Sequence, residues 1–223
     1  MSTSAALRRY LGDVVVLAKK DTLLELRARE TVPAMLLFVL GALVVFHFAV
    51  PADLSDETQR VVSFGLLWVA IIFTAILGLT RAFVAEREQR LIDALVLAPC
   101  DRSAIWLAKT LAVMAFLLLA ELIALPAFAL FFHAVDGRTI GAVLLANIGI
   151  AAVGTVLSAV SAASRTRELL LPLLLIPLAI PIVVGGVGAS VADEPIRFLG
   201  FLVLYDAVFA IISWSAFEYV VTE

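Results

Sequence analysis

Six long apolar segments constrain the fold of this chain more than any other feature of the sequence. They cover about residues 33–50, 61–80, 104–132, 140–163, 169–191 and 198–220. Each is near or above the roughly 20 residues with which an α-helix crosses the hydrocarbon core of a bilayer. The composition agrees, with 63% hydrophobic residues and a mean hydropathy of +1.11. The sequence therefore predicts an all-α integral membrane protein with six transmembrane helices in a single domain, residues 1–223.

The distribution of the sixteen lysine and arginine residues predicts how the helices are oriented. Six precede span one, and two lie between spans four and five. Five lie between spans two and three when Lys109 is counted, because the first turns of span three (Ala104–Lys109) are expected to remain at the cytoplasmic interface. The other three loops hold only one each, namely Arg60, Arg138 and Arg197. Because short loops rich in Lys and Arg remain on the cytoplasmic side, both termini are expected in the cytoplasm.

Residues 5–31 precede the first span and are predicted to form an amphipathic helix. Apolar residues recur in it at three- and four-residue spacing, opposite a polar side: Leu7, Tyr10, Leu11, Val14, Leu17 and Ala18. A basic, one-sided helix of this kind is suited to lie along the cytoplasmic membrane surface. A soluble N-terminal helix packed on a partner is the alternative.

The longest charged interval, residues 81–103, lies between spans two and three. A charged run is followed there by apolar residues: Glu86, Arg87, Glu88, Gln89, Arg90, Leu91, Ile92, Asp93 and Leu95. The apolar members fall on one side of a helix, and Pro99 disfavours continuation beyond Ala98. The pattern predicts a short amphipathic helix over residues 86–98 on the cytoplasmic side. A solvated loop that only connects the two spans is the alternative.

Common catalytic motifs are absent from the sequence. It contains no G-x-x-x-x-G-K-[ST], H-E-x-x-H, C-x-x-C or G-x-S-x-G pattern, so no site for nucleotide hydrolysis or metal-assisted chemistry is expected. If ATP drives this protein, another chain must bind it. The cationic residues follow one membrane face and form no patch for nucleic acid. We therefore expect that the chain is not itself an enzyme.

Glu121 in span three and Asp206 in span six are the two ionisable side chains expected at membrane depth. Because a carboxylate in hydrocarbon is costly, each should be neutral, paired or turned toward a polar interior. Both are functional candidates. A protonated acid that hydrogen-bonds to a neighbouring backbone group or to a Ser or Thr in a structural contact would explain them as well.

His47 and His133 fall near the outer ends of their spans. Imidazole is a common ligand of haem iron, which makes the pair candidates for haem contact. An ordinary interfacial role is the favoured interpretation, since polar and aromatic side chains are frequent at membrane boundaries. No other pattern predicts a metal or a cofactor bound by this chain.

Span five contains an unusual succession of prolines and glycines. Pro177 and Pro181 remove backbone hydrogen bonds in mid-membrane, and Gly185 and Gly186 follow them closely. The pattern predicts a break in the helix here, with an irregular or re-entrant outer third. A bent but continuous helix is the alternative.

The whole arrangement resembles the permease subunits of type-2 ABC exporters, and more specifically the haem exporter protein B family of the cytochrome c maturation system. The match spans nearly the whole chain, and its motifs are specific mainly in combination. It is carried by Leu91–Ile92–Asp93–Ala94–Leu95, Leu97–Ala98–Pro99, Leu107–Ala108–Lys109, Glu121 with Pro126, the stretch from Leu175 to Pro181, Tyr205–Asp206 and Phe217–Glu218–Tyr219–Val220. Arg90 departs from the family pattern, which usually has a glycine nearby, and this leaves the start of the 86–98 helix open.

The resemblance implies a permease of a bacterial cytoplasmic (inner) membrane, working as a homodimer in a larger complex. Residues 86–95 would contact the ATPase subunit, haem exporter protein A, which binds the ATP. The C and D subunits would complete the complex, and ATP hydrolysis would be linked to release of a haem-loaded periplasmic chaperone. Haem would be a substrate of the complex. The tryptophans are isolated and form no W-W-D motif, in agreement with haem handling by the C subunit: Trp68, Trp106 and Trp214.

Two further functions remain open on the residues alone. A type-2 ABC permease that exports a lipid, a drug or a glycan has the same composition and topology. A membrane scaffold that transports nothing would also show six apolar spans, but it would need no ATPase contact in the 86–98 segment.

Overall fold

The computed structural model describes residues 3–28, 30–51, 53–82, 100–163 and 167–222. Within these ranges all regular secondary structure is helical. The seven helices are α1 (Thr3–Ala28), α2 (Thr31–Ala49), α3 (Asp56–Arg81), α4 (Arg102–Phe131), α5 (Gly137–Ala163), α6 (Arg167–Val191) and α7 (Pro195–Thr222). The predicted all-α fold is confirmed.

Helices α2 to α7 are all long and apolar enough to cross a membrane, which confirms the six predicted spans. Helix α1 corresponds to the predicted N-terminal helix, and its location at the membrane surface stays a prediction. We call the end of the bundle that carries Ala82 and Cys100 the inner end, and the opposite end the outer end.

Several helices begin earlier than the apolar segments because polar residues cap them. Ser55 caps α3 by accepting a hydrogen bond from the backbone N–H three residues later. Asp101 accepts the N–H of Ser103 at 2.8 Å and caps α4. Asp136 accepts the N–H of Thr139 at 3.0 Å at the start of α5. These side chains satisfy N–H groups that the first turn of a helix leaves without a partner.

Helix α5 packs against four other spans, α3, α4, α6 and α7. Two of its glycines allow this close packing. A Cβ atom at Gly154 would lie 2.4 Å from a methyl carbon of Leu79 on α3, and one at Gly149 would lie 2.5 Å from a carboxyl oxygen of Asp206 on α7. Small residues let transmembrane helices approach closely and gain van der Waals contact. The carboxyl group of Asp206 on α7 is therefore brought close to the backbone of α5.

Helix α6 corrects one prediction: it runs without a break through Pro177, Pro181, Gly185 and Gly186 to Val191. A transmembrane helix tolerates proline where neighbouring helices supply hydrogen bonds to its backbone. Here the hydroxyl of Tyr205 on α7 donates to the carbonyl of Leu178 at 2.8 Å, in the turn between the two prolines. The predicted irregular outer third is wrong.

The glycines of α6 serve close packing. A Cβ atom at Gly186 would lie 2.2 Å from the indole of Trp68 on α3, and one at Gly185 would lie 2.7 Å from Leu202 on α7. A Cβ atom at Gly188 would lie 2.2 Å from the ring of Phe198. The glycine cluster therefore provides the surface on which two neighbouring helices pack.

Replacing Gly186 with alanine is expected to destabilise the protein. The added methyl group overlaps the fully buried ring of Trp68, and overpacking of a core usually costs about 1–3 kcal/mol. Thermal unfolding of the purified protein in detergent measures the effect. Gly200→Ala is the matched control, because nothing lies within 4 Å of a Cβ atom there. Equal melting temperatures for the two variants would contradict the packing role.

Candidate functional site

The predicted ATPase-contact residues lie outside the described residues. This applies to the whole 86–98 segment, with Glu86, Arg87, Glu88, Arg90, Leu91, Asp93 and Leu95. Their helix and their contacts stay predictions. The described residues nearest to this segment are Ala82, which follows α3, and Cys100, which precedes α4.

Ala82 is held at the inner end by a buried lysine. The ammonium group of Lys109 on α4 donates to the carbonyl of Ala82 at 2.7 Å. The same group lies 3.4 Å from a carboxylate oxygen of Asp21 on α1, and the two side chains are only 5% and 8% exposed. Lys20 contacts the other oxygen of Asp21 at 2.9 Å. Ala82, the last described residue before the 83–99 segment, is thus connected to α4 and to the N-terminal helix through one charged cluster.

A small cavity adjoins this cluster. It has a volume of about 30 Å³ and is lined by Asp21, Lys109, Thr31 and Gly78 among others. This volume accommodates water but is far below that of a ligand pocket. The inner-end cluster is therefore suited to hold helices together and has no room for a substrate.

Packing and hydrogen bonds also fix α1 against the first turns of α4. Val14 is buried against Ala104 and Ala108, and the hydroxyl of Ser103 hydrogen-bonds to that of Tyr10 at 3.1 Å. Partial burial, together with the nearby Asp13 carboxylate, raises the pKa of the Cys100 thiol. The start of α4 is therefore capped by Asp101 and packed against α1.

Glu121 on α4 forms a hydrogen bond with a polar side chain of the neighbouring helix α5. The amide nitrogen of Asn147 on α5 donates to one of its carboxyl oxygens at 2.5 Å, and both residues are buried. The other oxygen of Glu121 and the amide oxygen of Asn147 have no hydrogen-bond partner among the described residues. Of the three states predicted for Glu121 (neutral, paired or turned toward a polar interior), the structure shows a hydrogen-bonded partner, and that partner is an uncharged amide.

A groove between α4 and α5 opens beside Glu121. Its volume is about 570 Å³, within the usual range for a ligand pocket. Apart from Glu121 its described lining is apolar, including Leu118, Leu122, Pro126 and Ile140. No His, Cys, Met or Tyr lies among the described residues that line it, so they offer no ligand for haem iron.

Asp206 lies on the other side of α5. Its carboxyl group packs directly against Gly149, and no described side chain hydrogen-bonds to it. Counted at 1.5 Å per residue, Glu121, Asn147 and Asp206 all lie roughly 15 Å from the outer ends of their helices. That distance is half of a hydrocarbon core of about 30 Å. The two predicted acids thus share one level at mid-membrane, on opposite faces of α5.

Both histidines contact the same cluster of phenylalanine rings at the outer end of the bundle. The ring of His47 lies 5.7 Å from that of Phe132, which stacks on Phe128 at 5.1 Å. Phe128 lies 5.2 Å from Phe64, and Phe64 lies 6.4 Å from His133. These contacts with aromatic rings agree with the interfacial interpretation. Among the described residues no group of three His, Cys, Asp or Glu could hold a metal ion, and haem contact by the histidines stays a prediction.

The sequence analysis missed three polar residues that the structure brings into these contacts. Asn147 is the only asparagine of the chain, and an amide inside an apolar span is a signal that could have found it. Lys109 is the only lysine or arginine inside the third apolar segment. Asp21 gives no comparable signal, because an acid on an amphipathic helix is ordinary.

The fold defines the class of protein: a polytopic α-helical membrane protein in which a buried charged cluster lies at the inner end and acids lie at mid-membrane. The particular family follows from comparison with known proteins. The family model described as "CcmB protein" matches residues 13–217. This is most of the chain, and the protein belongs to that family.

Curated relatives support the same assignment. The chain is 32% identical over 183 residues to "Heme exporter protein B" of Pseudomonas aeruginosa, covering 80% of both chains. It is 28% identical over 173 residues to the protein of that name from Rhodobacter capsulatus, covering 76% of this chain and 78% of the relative. A third, from Bradyrhizobium diazoefficiens, is 27% identical over 180 residues, covering 79% and 80%.

Proposed function

We propose that this protein is the membrane permease subunit of a haem export complex that serves the assembly of c-type cytochromes. The observation that carries the proposal is the family match over residues 13–217, together with relatives named as haem exporters. The six spanning helices supply the membrane part of such a complex. No nucleotide-binding motif occurs in the chain, so the ATPase is a separate subunit.

The inner-end cluster supports a route by which the ATPase acts on this subunit. The 86–98 segment would contact the ATPase, haem exporter protein A, and movement of that segment would pull on Ala82. Because Lys109 binds Ala82 and contacts Asp21, such movement would reach α4 and α1 together. In this proposal ATP hydrolysis is coupled to release of the haem-loaded chaperone on the periplasmic side, where the C and D subunits act.

The proposed arrangement places the protein in the bacterial cytoplasmic membrane as a homodimer with cytoplasmic termini. The excess of Lys and Arg in the inner loops supports this orientation. Haem is a substrate of the complex here, not a resident cofactor of this chain, since the described part of the α4–α5 groove offers no iron ligand.

Complementation tests the proposal directly. The gene is expressed, with its own ATPase, C and D partners, in a bacterium that lacks its permease B, and covalent haem in c-type cytochromes is measured by peroxidase staining of gels. Restored staining is expected. If no staining returns although the protein is inserted in the membrane, the haem function is refuted, and export of a lipid, drug or glycan becomes the better hypothesis.

Charge reversal at Glu86 and Glu88 is expected to abolish co-purification of the ATPase subunit or its stimulated ATP hydrolysis, because these acids lie in the proposed contact. Co-purification and ATPase assays in detergent measure both effects. Reversal of Asp193 and Glu194, in the loop between α6 and α7 at the outer end, is the matched control and should leave the ATPase bound and active. An unaltered ATPase interaction in the Glu86 and Glu88 variant would favour a scaffold over a permease.

A further inference from the structure

Helix α1 has two surfaces of different character. One packs on α4 through Val14 and carries Asp21 toward Lys109. The other exposes large apolar side chains that are 43% to 67% accessible: Leu7, Leu11, Val15, Val16, Leu23 and Leu26. Because α1 ends at Ala28 and the first span begins at Thr31, the C-terminal end of this exposed surface lies close to the start of the first span.

Unpaired cations are concentrated on the same helix. Among the described side chains, every arginine and lysine beyond α1 has an acidic, carbonyl or aromatic partner: Arg60, Arg81, Arg102, Lys109, Arg138 and Arg197. By contrast, Arg8, Arg9, Lys19 and Arg27 on α1 form no ion pair with any described residue. Among the described side chains, the cations without such a partner thus all lie on α1.

Cations and apolar residues alternate along one strip of α1. Arg8, Val15, Lys19 and Leu26 follow each other at intervals of seven, four and seven residues, so all four lie on the same side of the helix. All four are exposed, and the strip contains no acidic residue. A molecule that binds to this strip must present both apolar groups and negatively charged groups within the width of one helix.

We propose that α1 binds the headgroups of anionic phospholipids, with Val15 and Leu26 in the acyl boundary and Arg8 and Lys19 on lipid phosphates. Long basic side chains bury their stems in apolar surroundings and keep the charge at the headgroup. Amphipathic helices with this composition bind anionic membranes more strongly than zwitterionic ones. The inference concerns only the membrane surface and does not depend on haem. It also favours the interfacial location of α1 over packing on a soluble partner.

The test uses the full-length protein in lipid nanodiscs. A polarity-sensitive fluorophore is attached at Val15→Cys in a Cys100→Ser background, and its emission is followed as phosphatidylglycerol replaces phosphatidylcholine. The emission is expected to shift to that of an apolar site with rising phosphatidylglycerol, and less so in high salt. Replacement of Arg8 and Lys19 by glutamine should reduce the shift at a given phosphatidylglycerol fraction, because each cation contributes about five-fold to the affinity for an anionic surface.

Two controls keep the proposal falsifiable. Arg138→Gln with Arg197→Gln removes the same charge from the outer ends of α5 and α7 and should leave the lipid response unchanged. A second label at Leu26→Cys, on the same strip, should report the same response. A label that stays in a watery environment in every lipid would refute the proposal and favour a soluble protein partner. An unchanged response in the Arg8 and Lys19 variant would also overturn it.

Discussion

Replacing Lys109 with methionine is expected to lower the free energy of unfolding by about 3–5 kcal/mol, the usual cost of removing one partner of a buried ion pair. Methionine fills a similar volume but leaves the carboxylate of Asp21, which is 8% exposed, without its contact from α4. The carbonyl of Ala82 loses its donor at the same time. Chemical denaturation of the purified protein in detergent, followed by the circular dichroism of its helices, measures the loss.

Two further variants separate this cluster from a general effect of removing charge. Asp21→Leu combined with Lys109→Met removes both charges, so much of the stability should return, since buried pairs can often be replaced by apolar residues. Arg197→Met removes a cation that is 79% exposed and pairs with Glu194, and it should cost about 0–1 kcal/mol. If Lys109→Met costs no more than Arg197→Met, the cluster does not stabilise the inner end.

The spans were predictable because their signal is local and strong. About 20 consecutive apolar residues have few alternatives to a membrane helix, and Asp101 could be recognised as a cap from its position before the apolar residues of α4. The break in α6 was predicted wrongly because the sequence shows which backbone hydrogen bonds Pro177 and Pro181 remove but not the contacts that neighbouring helices make with α6. The hydroxyl of Tyr205 comes from another helix, and Trp68 requires the glycine that suggested a break.

For the polar contacts, the sequence predicts that a buried charged group needs a partner but not which residue supplies it. The cost of burying a carboxylate required that Glu121 be neutral, paired or turned toward a polar interior, whereas the identity of Asn147 depends on how α4 and α5 are rotated about their axes. The pair of Asp21 and Lys109 joins residues far apart in the chain and depends on where α1 crosses α4. Neither rotation nor crossing is encoded in the local apolar pattern, so these contacts needed the folded structure.

Replacing Asn147 with leucine is expected to cost about 1–3 kcal/mol, because it leaves the buried carboxyl group of Glu121 without its donor. The hydrogen bond alone would account for less, since such bonds between membrane helices average about 0.6 kcal/mol. Most of the loss should therefore come from the unsatisfied acid. Chemical denaturation in detergent measures the change in the free energy of unfolding. The double variant Glu121→Leu with Asn147→Leu should regain stability because neither side chain of the pair is then polar.

Glu121→Gln distinguishes a structural acid from a functional one. The glutamine carbonyl still accepts the hydrogen bond from Asn147, so stability and membrane insertion should be close to those of the unaltered protein. If the mid-membrane acid takes part in transport, cytochrome c assembly in the complementation assay should nevertheless fall, because an amide cannot carry the charge or exchange the proton of a carboxyl group. Normal assembly in Glu121→Gln, together with a large loss of stability in Asn147→Leu, would assign the pair to helix packing alone. The hydrogen bond between Glu121 and Asn147 predicts that the stability losses of the two single leucine variants do not add up in the double variant. Losses that do add up would instead show that the two residues do not stabilise each other.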